Sequence, residues 1–492
     1  MTSGALLVLI PAVLLCAALV SLIPLGRRLA PVATIVAAVA ALLLAGLSAS
    51  RVLAFGKIVA LPHWIGIDGF GALLLLLITF VGTLAALFSP GYMRVRARER
   101  SDGALRAYHA NFNLFLFSIV TVPMMQEVAL AWIAVELTTI LSVLLVSFEG
   151  TSEALEAAWK YVILTMIGAG IALLGVIILY GALQQSVGGP FTWSALRRAG
   201  GDLPPTLLEG GFLLVLVGFG VKVGLVPMHT WLPDAHSQAP SPVCALLSGV
   251  ETSTILYLIL RLFPVAEAQP LIHVQDWAIV FGLISVGTAS LLLIQVRDLK
   301  RLFAFSTVEQ MGIILTAAGF GVAANPSIAP YQIFTHGLAK SLCFLAAGSV
   351  LVVAGTREIA SLRGLIRSEP IAGAALLVGA LAVTGAPPFA LFLSELSIIR
   401  AGLAAHNYIA VALLVLFIVI AFAAILFHIN RVVFGDPGGA HGARVGRGRI
   451  PRASLLALLL AMIPALLFGV WIPAPLHALI SMAGATIGGP IP

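Results

Sequence analysis

The sequence predicts an all-α polytopic membrane protein of about fourteen transmembrane helices. Three observations predict it. Of the 492 residues, 60% are hydrophobic and only 10% are charged, and mean hydropathy is +1.10. Apolar runs of roughly 20 residues, long enough to cross a bilayer, recur along the whole chain. The basic residues that separate them concentrate in alternate breaks. No connecting stretch is long enough to fold as a separate soluble domain, so any active centre working in water belongs to a partner.

In chain order the runs centre near Leu14, Ala40, Ile78, Ser118, Leu137, Ile167, Val217, Gly249, Ile284, Ile314, Phe344, Ala382, Phe417 and Ala465. The first, residues 4–25, reads as a retained helix. Leu15 is not the small residue expected before a modified Cys16, and no basic segment precedes the run. The runs near Ser118 and Leu137 are almost continuous, divided only by Met125, Gln126 and Glu127. Cys16, Cys244 and Cys343 lie far apart in apolar surroundings, which argues against a disulfide framework, an iron–sulfur cluster or a zinc site.

One set of loops carries Arg27 and Arg28, the group Arg94, Arg96, Arg98, Arg100 and Arg106, then Arg297, Lys300 and Arg301. It continues with Arg357, Arg363 and Arg367, and with the arginines from Arg431 through Arg452. The other set holds Arg51, Lys57, Arg197, Arg198 and Arg261. About eighteen basic residues against about five place the rich set in the cytoplasm. A multi-pass protein of the cell inner (cytoplasmic) membrane follows, with both termini on the outer, periplasmic side. The net charge of +7 is largely this asymmetry and calls for no nucleic-acid partner.

Two runs contain helix breakers beside a charge. Around Lys222 the chain reads GFGVKVGLVPMHTWLPDAHSQAPSP, and Pro227 removes a backbone donor one turn after the lysine. Around Glu395 it reads VTGAPPFALFLSELSIIR, with Pro387 and Pro388 about two turns before the acid. The apolar stretch from Ile371 to Ala404 is also too long for one ordinary span. Both sites read as discontinuous helices, which are tolerated at membrane depth only where protein or a hydrated cavity receives the freed backbone. Each is the fourth member of a five-helix block, and two such blocks in succession lie in opposite orientations, as in inverted-repeat transporters. The predicted organisation is a three-helix segment over 1–107, a first repeat over 108–263, an inverted second repeat over 264–432, and a basic loop with a C-terminal helix over 433–492.

Glu136, Lys222, Lys340 and Glu395 sit inside apolar runs. A charge in hydrocarbon is costly, so such residues face a bundle interior or hydrated cavity and mark ion pathways. Two acids and two amines on separate helices suggest a proton or cation relay.

At these residues the chain resembles the antiporter-like proton-translocating subunits shared by respiratory complex I, membrane-bound hydrogenases and Mrp-type cation antiporters. The strings that carry the resemblance are AWIAVELTTILSVLLVSF, KVGLVPMHTWLPDAHSQAPSPVCALLSGV, VRDLKRLFAFSTVEQMGIIL, THGLAKSLCFLAAGS and TGAPPFALFLSELSII. They cover most of residues 110–405, and the wording HSQAPSPV and PPF-x-x-F-x-SEL is most similar to the F-type subunit of hydrogenase-4 complexes. The resemblance implies that Glu136 is the fifth-helix acid that partners Lys222, the lysine of the broken seventh helix. His336 and Lys340 match the His-x-x-x-Lys pair of the eleventh helix, and Glu395 matches the terminal group of the broken twelfth. Three positions depart from the family pattern. Ser253 stands where many relatives have an eighth-helix lysine or histidine, Gln310 where the tenth helix has a histidine, and Gln332 a turn before His336 where another is common. Glu251 lies two positions before Ser253, roughly 200° away around a regular helix, so it is no simple replacement. It reads either as an altered channel residue or as a partner for a neighbouring helix.

The chemistry suits these roles. A buried amine loses its proton when a nearby carboxylate moves or is neutralised, so a Lys222–Glu136 pair is a switch that needs no redox centre in the same chain. The alternative is a structural ion pair that fixes helix register. His336 and Lys340, one turn apart, share a face that Gln332 extends. An imidazole is suited to passing protons, though it can equally be bonded to a backbone carbonyl. Glu395 can release a proton to one side, or merely accept bonds from freed amides. His229, Asp234 and His236 lack a fourth metal ligand and read as a capping or hinge group. Glu156 and Lys160 have the spacing of an exposed ion pair.

The expected function is proton translocation along Glu136, Lys222, His336, Lys340 and Glu395, driven by electron transfer in partner subunits of a hydrogenase-linked or complex I-like assembly. The expected partners are other membrane subunits and a soluble iron–sulfur, hydrogenase or dehydrogenase arm, with no cofactor in this chain. A cation/proton antiporter subunit without a redox partner is the alternative. A purely structural anchor is disfavoured by paired charges on two broken helices.

Overall fold

In the computed structural model, residues 2–24, 28–321, 325–436 and 450–488 are described. Arg27, Arg444, Arg447 and Arg449 of the basic loops lie outside them. The chain begins with α1 (Ser3–Leu22), α2 (Leu29–Phe55), a hairpin of β1 (Ile58–Leu61) and β2 (Ile65–Ile67), and α3 (Gly69–Arg96). Next come α4 (Asp102–Thr121), α5 (Val128–Val146), α6 (Ser152–Ser186), α7 (Trp193–Ala199), α8 (Pro205–Val223) and α9 (Trp231–Gln238). A π-helical turn at Leu247–Glu251 joins α10 (Ser241–Leu246) to α11 (Thr252–Ala266). Then follow α12 (Val274–Leu293), α13 (Leu299–Gly319), α14 (Ile328–Ala354), α15 (Leu365–Ser368), α16 (Pro370–Val383) and α17 (Ala390–Ala404). The last are α18 (Tyr408–Phe434), α19 (Arg452–Val470) and α20 (Ala474–Gly488).

Twelve of the described segments are long and apolar enough to span a membrane. Helix α4 and the broken pair α16–α17 account for the remaining runs read from the sequence. Short polar residues in the loops start the helices by accepting the first free backbone N–H groups. Asp68 caps α3, Ser101 caps α4, Glu127 caps α5, Thr151 caps α6 and Asp298 caps α13. Helix α4 begins earlier than its apolar centre near Ser118 suggests, because Ser101 provides that cap, and the boundary read at 107/108 falls within it. The hairpin, α7 and α20 have no counterpart in the sequence reading, being too short to register as spans.

Position in the bundle follows composition. Helices α14 and α13 and the α10–α11 segment are almost wholly buried, whereas α18 and α19 show most of their surface to the surroundings. The ionisable residues lie on the buried helices or face them. Helix α8 is drawn tightly onto α6 by facing glycines: a Cβ at Gly168 would meet the Gly218 carbonyl and one at Gly175 the Gly211 carbonyl. Small residues at a helix crossing allow this approach in a membrane.

The two broken helices end alike, and the immediate cause is glycine rather than proline. Helix α8 stops at Gly224 (φ +87°), with the Leu225 N–H donating to the Gly220 carbonyl at 2.8 Å. Helix α16 gives way to Gly385 (φ +63°), with the Ala386 N–H donating to the Leu381 carbonyl at 3.0 Å. Both are left-handed caps that close the last turn onto a carbonyl five residues back. Pro227, Pro387 and Pro388 lie in the linkers that follow, where they prevent the helix from resuming at once.

Candidate functional site

Lys222 sits in the last turn of α8, two residues before its break, and is 1% exposed. Its Nζ donates to Glu136 Oε1 at 3.1 Å and to the Val135 carbonyl at 2.7 Å, both on α5. The amine therefore exchanges water for one carboxylate and one carbonyl, which offsets part of the cost of placing it there.

Glu251, 2% exposed, lies within the electrostatic reach of Lys222 on the π-helical turn. Tyr161 on α6 donates its hydroxyl to Glu251 Oε1 at 3.3 Å and is itself 2.7 Å from the Ser142 hydroxyl on α5. Glu251 Oε2 and Ser253 Oγ are buried without a protein partner among the described residues. Glu251 ends the π-helical turn and the chain continues from Thr252 as regular α-helix, so Ser253 stays well round the helix from it. Lys222 thus lies in the field of two carboxylates, a feature the sequence reading left open.

The same turn joins the two halves of the site. Gly249 packs against Gly337 of α14, where a Cβ on either would press on the other's carbonyl. One residue earlier, the Ser248 carbonyl lies 3.1 Å from His336 Nε2. A carbonyl only accepts, so Nε2 carries the proton, leaving Nδ1 buried and unpartnered among the described residues. The bland alternative for His336, a bond to a backbone carbonyl, is therefore present alongside a free ring nitrogen. One turn on, Lys340 Nζ donates to the Phe303 carbonyl at 2.7 Å and to the Ser306 hydroxyl, both on α13.

At the second break, Glu395 Oε1 accepts from Gln310 Nε2 at 3.0 Å, and Gln310 Oε1 accepts from Gln332 Nε2 at 2.7 Å. Gln310 and Gln332 thus link α13, α14 and α17 into one chain that ends on the acid. Glu309, the neighbour of Gln310 on α13, is 4% exposed and was missed in the sequence reading. Its signal, an acid within a span, was legible.

The HTWLPDAH segment is held by cations. Asp234 pairs with Lys160 at 3.2 Å and with Arg301, and Lys160 also pairs with Glu156 at 2.6 Å, the exposed pair its spacing implied. Lys300, 1% exposed, donates to the Ser237 carbonyl at 3.0 Å and to the Ala239 carbonyl. Arg357 donates to the Ser237 carbonyl and pairs with Asp298 at 2.7 Å. His236 is buried between Trp231 and Phe344, its Nδ1 2.7 Å from the Leu232 carbonyl. No group of three or more His, Cys, Asp or Glu able to hold a metal occurs among the described residues.

A family model described as NADH:quinone oxidoreductase/Mrp antiporter, TM, matches residues 125–421. A second, for the N-terminus of chain 5 of NADH-ubiquinone oxidoreductase (complex I), matches residues 58–101. The chain is 35% identical over 379 residues to a hydrogenase-4 component F homolog of Methylacidiphilum infernorum (isolate V4), covering 76% of this chain and 79% of that protein. It is 32% identical over 363 residues to Na(+)/H(+) antiporter subunit A1 of Staphylococcus aureus, covering 69% of this chain but only 43% of that longer protein. Among solved structures, a chain of the membrane-bound sulfane sulfur reductase, an archaeal respiratory membrane complex, superposes with a TM-score of 0.87. That chain is 26% identical, with 99% of this chain and 98% of that one covered.

Proposed function

We propose that this chain, which belongs to the NADH:quinone oxidoreductase/Mrp antiporter family, moves protons through the membrane as one subunit of a larger redox complex. The observation that carries the reading is the buried Lys222–Glu136 pair at the break of α8, 3.1 Å apart and in the field of Glu251. A carboxylate facing a buried lysine favours the charged form of that lysine. A change of charge near Glu136 releases the lysine's proton toward the π-helical turn, and His336, Lys340 and Glu395 lie beyond it.

The relatives belong to multisubunit membrane complexes, and this chain has no soluble domain of its own among the described residues. The likeness to a hydrogenase-4 component favours a hydrogenase arm as the partner that carries the redox centres. The inner membrane, with the Arg94–Arg106 loop in the cytoplasm, is the orientation its basic residues favour. The two similar helix breaks support an inverted five-helix repeat.

The complex isolated from native membranes through this chain, reconstituted with internal pyranine and a potassium/valinomycin potential, tests the reading. Lys222→Ala in an assembled complex should abolish potential-driven proton flux, and normal flux would overturn it. Nickel with iron in the same preparation supports the hydrogenase arm, and iron alone a dehydrogenase-type arm. Neither metal, together with sodium-dependent flux, assigns the chain to an antiporter of the type its similarity to subunit A1 suggests.

A further inference from the structure

We infer that Glu309 is a proton-carrying residue of this pathway, linking Lys340 to Glu395, an inference that rests on the proton-translocating reading above. The hydrogen-bonded chain that leads away from Glu395 runs through side chains that cannot carry a proton onward, and it does not reach Lys340, which bonds the Phe303 carbonyl and the Ser306 hydroxyl. Glu395 is held by Gln310, and Gln310 by Gln332. An amide donates from nitrogen and accepts at oxygen, but it neither gains nor loses a proton near neutral pH. Gln310 and Gln332 therefore orient Glu395 without conducting to it.

Glu309 occupies the intervening stretch of α13 with an ionisable group. It lies three residues after Ser306, on the same side of the helix, and the Ser306 hydroxyl accepts from Lys340. It immediately precedes Gln310, whose amide donates to Glu395. The α13 turn that carries it thus touches both groups, Lys340 through Ser306 and Glu395 through Gln310. Among the described residues no hydrogen-bond donor reaches the Glu309 carboxylate, although the residue is only 4% exposed. A buried acid with no structural partner, set between two ionisable groups of the path, does not serve as a cap or a register pair.

The transfer balances in two steps. A proton leaves the Lys340 ammonium for the Glu309 carboxylate, giving a neutral amine and a neutral acid. It then passes from the Glu309 carboxyl to the Glu395 carboxylate, restoring Glu309 to its anionic form. Both steps go directly or through water.

The pyranine assay on the reconstituted complex tests this with four variants. Glu309→Gln should lower proton flux at least about tenfold, while Glu309→Asp, which keeps an acid there, should recover a large part of it. Glu309→His should conduct with its pH midpoint displaced toward the imidazole range, a shift that a merely structural role would not produce. Lys222→Ala separates the two levels of inference. Full flux in Glu309→Gln with none in Lys222→Ala overturns the role of Glu309 and leaves the general reading intact. Full flux in both overturns the general reading. Loss in Glu309→Gln without recovery in Glu309→Asp and without a shifted profile in Glu309→His makes Glu309 structural and also overturns the inference. If Glu309→Gln does not assemble, the Asp and His variants decide alone.

Discussion

The carboxylate of Glu395 folds back onto Gly385, filling the space that a Cβ on that glycine would need. The acid and the break of α16 are therefore one structural unit, although ten positions separate them in the chain. Gly385 is also held at φ +63°, where an L side chain is strained. Gly385→Ala should push Glu395 off Gln310, lower flux several-fold and cost about 1–3 kcal/mol of stability. Gly355→Ala, a left-handed glycine with open space around it, should cost only the backbone strain and leave flux unchanged. Flux and thermal melts of the solubilised variants check the contrast, and equal effects at both glycines would refute it.

Lys222 has a second carboxylate in reach, and removing it should show. Glu251→Gln leaves the Lys222–Glu136 pair as the sole arrangement, so flux should fall about tenfold while assembly is kept. Tyr161→Phe removes the hydroxyl that bridges Ser142 and Glu251 and should have a smaller effect in the same direction. Wild-type flux in Glu251→Gln would leave that acid a bystander.

The charged residues of the path were legible because a lysine or glutamate inside an apolar run stands out against its neighbours. Lys222, Lys340, Glu136 and Glu395 all lie in or against the buried bundle. The breaks were legible from proline, but the residues that end the helices, Gly224 and Gly385, were not singled out, since a glycine's positive φ leaves no mark in hydropathy. Glu309 was equally legible as an acid within a span, but α13 is the least apolar of the twelve candidate spans, so the acid stands out less there. The π-helical turn was hidden for a different reason. It lies where α10–α11 meets Gly337 and His336 of another helix, a tertiary contact absent from the local string SGVETST. The hairpin over Ile58–Ile67 and the helix α20 are shorter than any span and gave no periodic signal.

The cations around α9 should matter for stability and for access. Lys300 and Arg357 satisfy carbonyls at the C-terminal end of that helix, and Asp234 within it is paired with Lys160 and Arg301. Lys300→Met leaves the Ala239 carbonyl without its charged donor and the Ser237 carbonyl with Arg357 alone, and should cost about 2 kcal/mol. Cys244 reports the consequence, since it is buried with Sγ 3.0 Å from the His236 carbonyl. In a Cys16→Ala background a water-soluble maleimide should label Cys244 faster in Lys300→Met than in the parent. Unchanged labelling and melting would show that the clamp does not hold α9.

On the opposite face, Asp68 and Arg261 tie the start of α3 to the end of α11 at 2.7 Å, with the Gly71 N–H also donating to Asp68. Burial alone would raise the Asp68 carboxyl, but the Arg261 guanidinium and the Gly71 amide outweigh it and hold the group below its ordinary value. A carboxyl with a lowered folded value contributes stability that is fully present above its unfolded value, about 3.9, and is lost as pH falls through the folded value. The melting temperature of the solubilised protein should therefore not respond to this pair between about pH 5 and 8, and should begin to fall only below about pH 4. Asp68→Asn should lower stability by about 2–3 kcal/mol at neutral pH, because Arg261 is left largely buried without its anion. The same variant should lose the part of the acid-induced drop that Asp68 causes. A variant that melts like the parent at pH 7, or retains its full acid response, would remove this ion pair from the forces that hold α3 against α11.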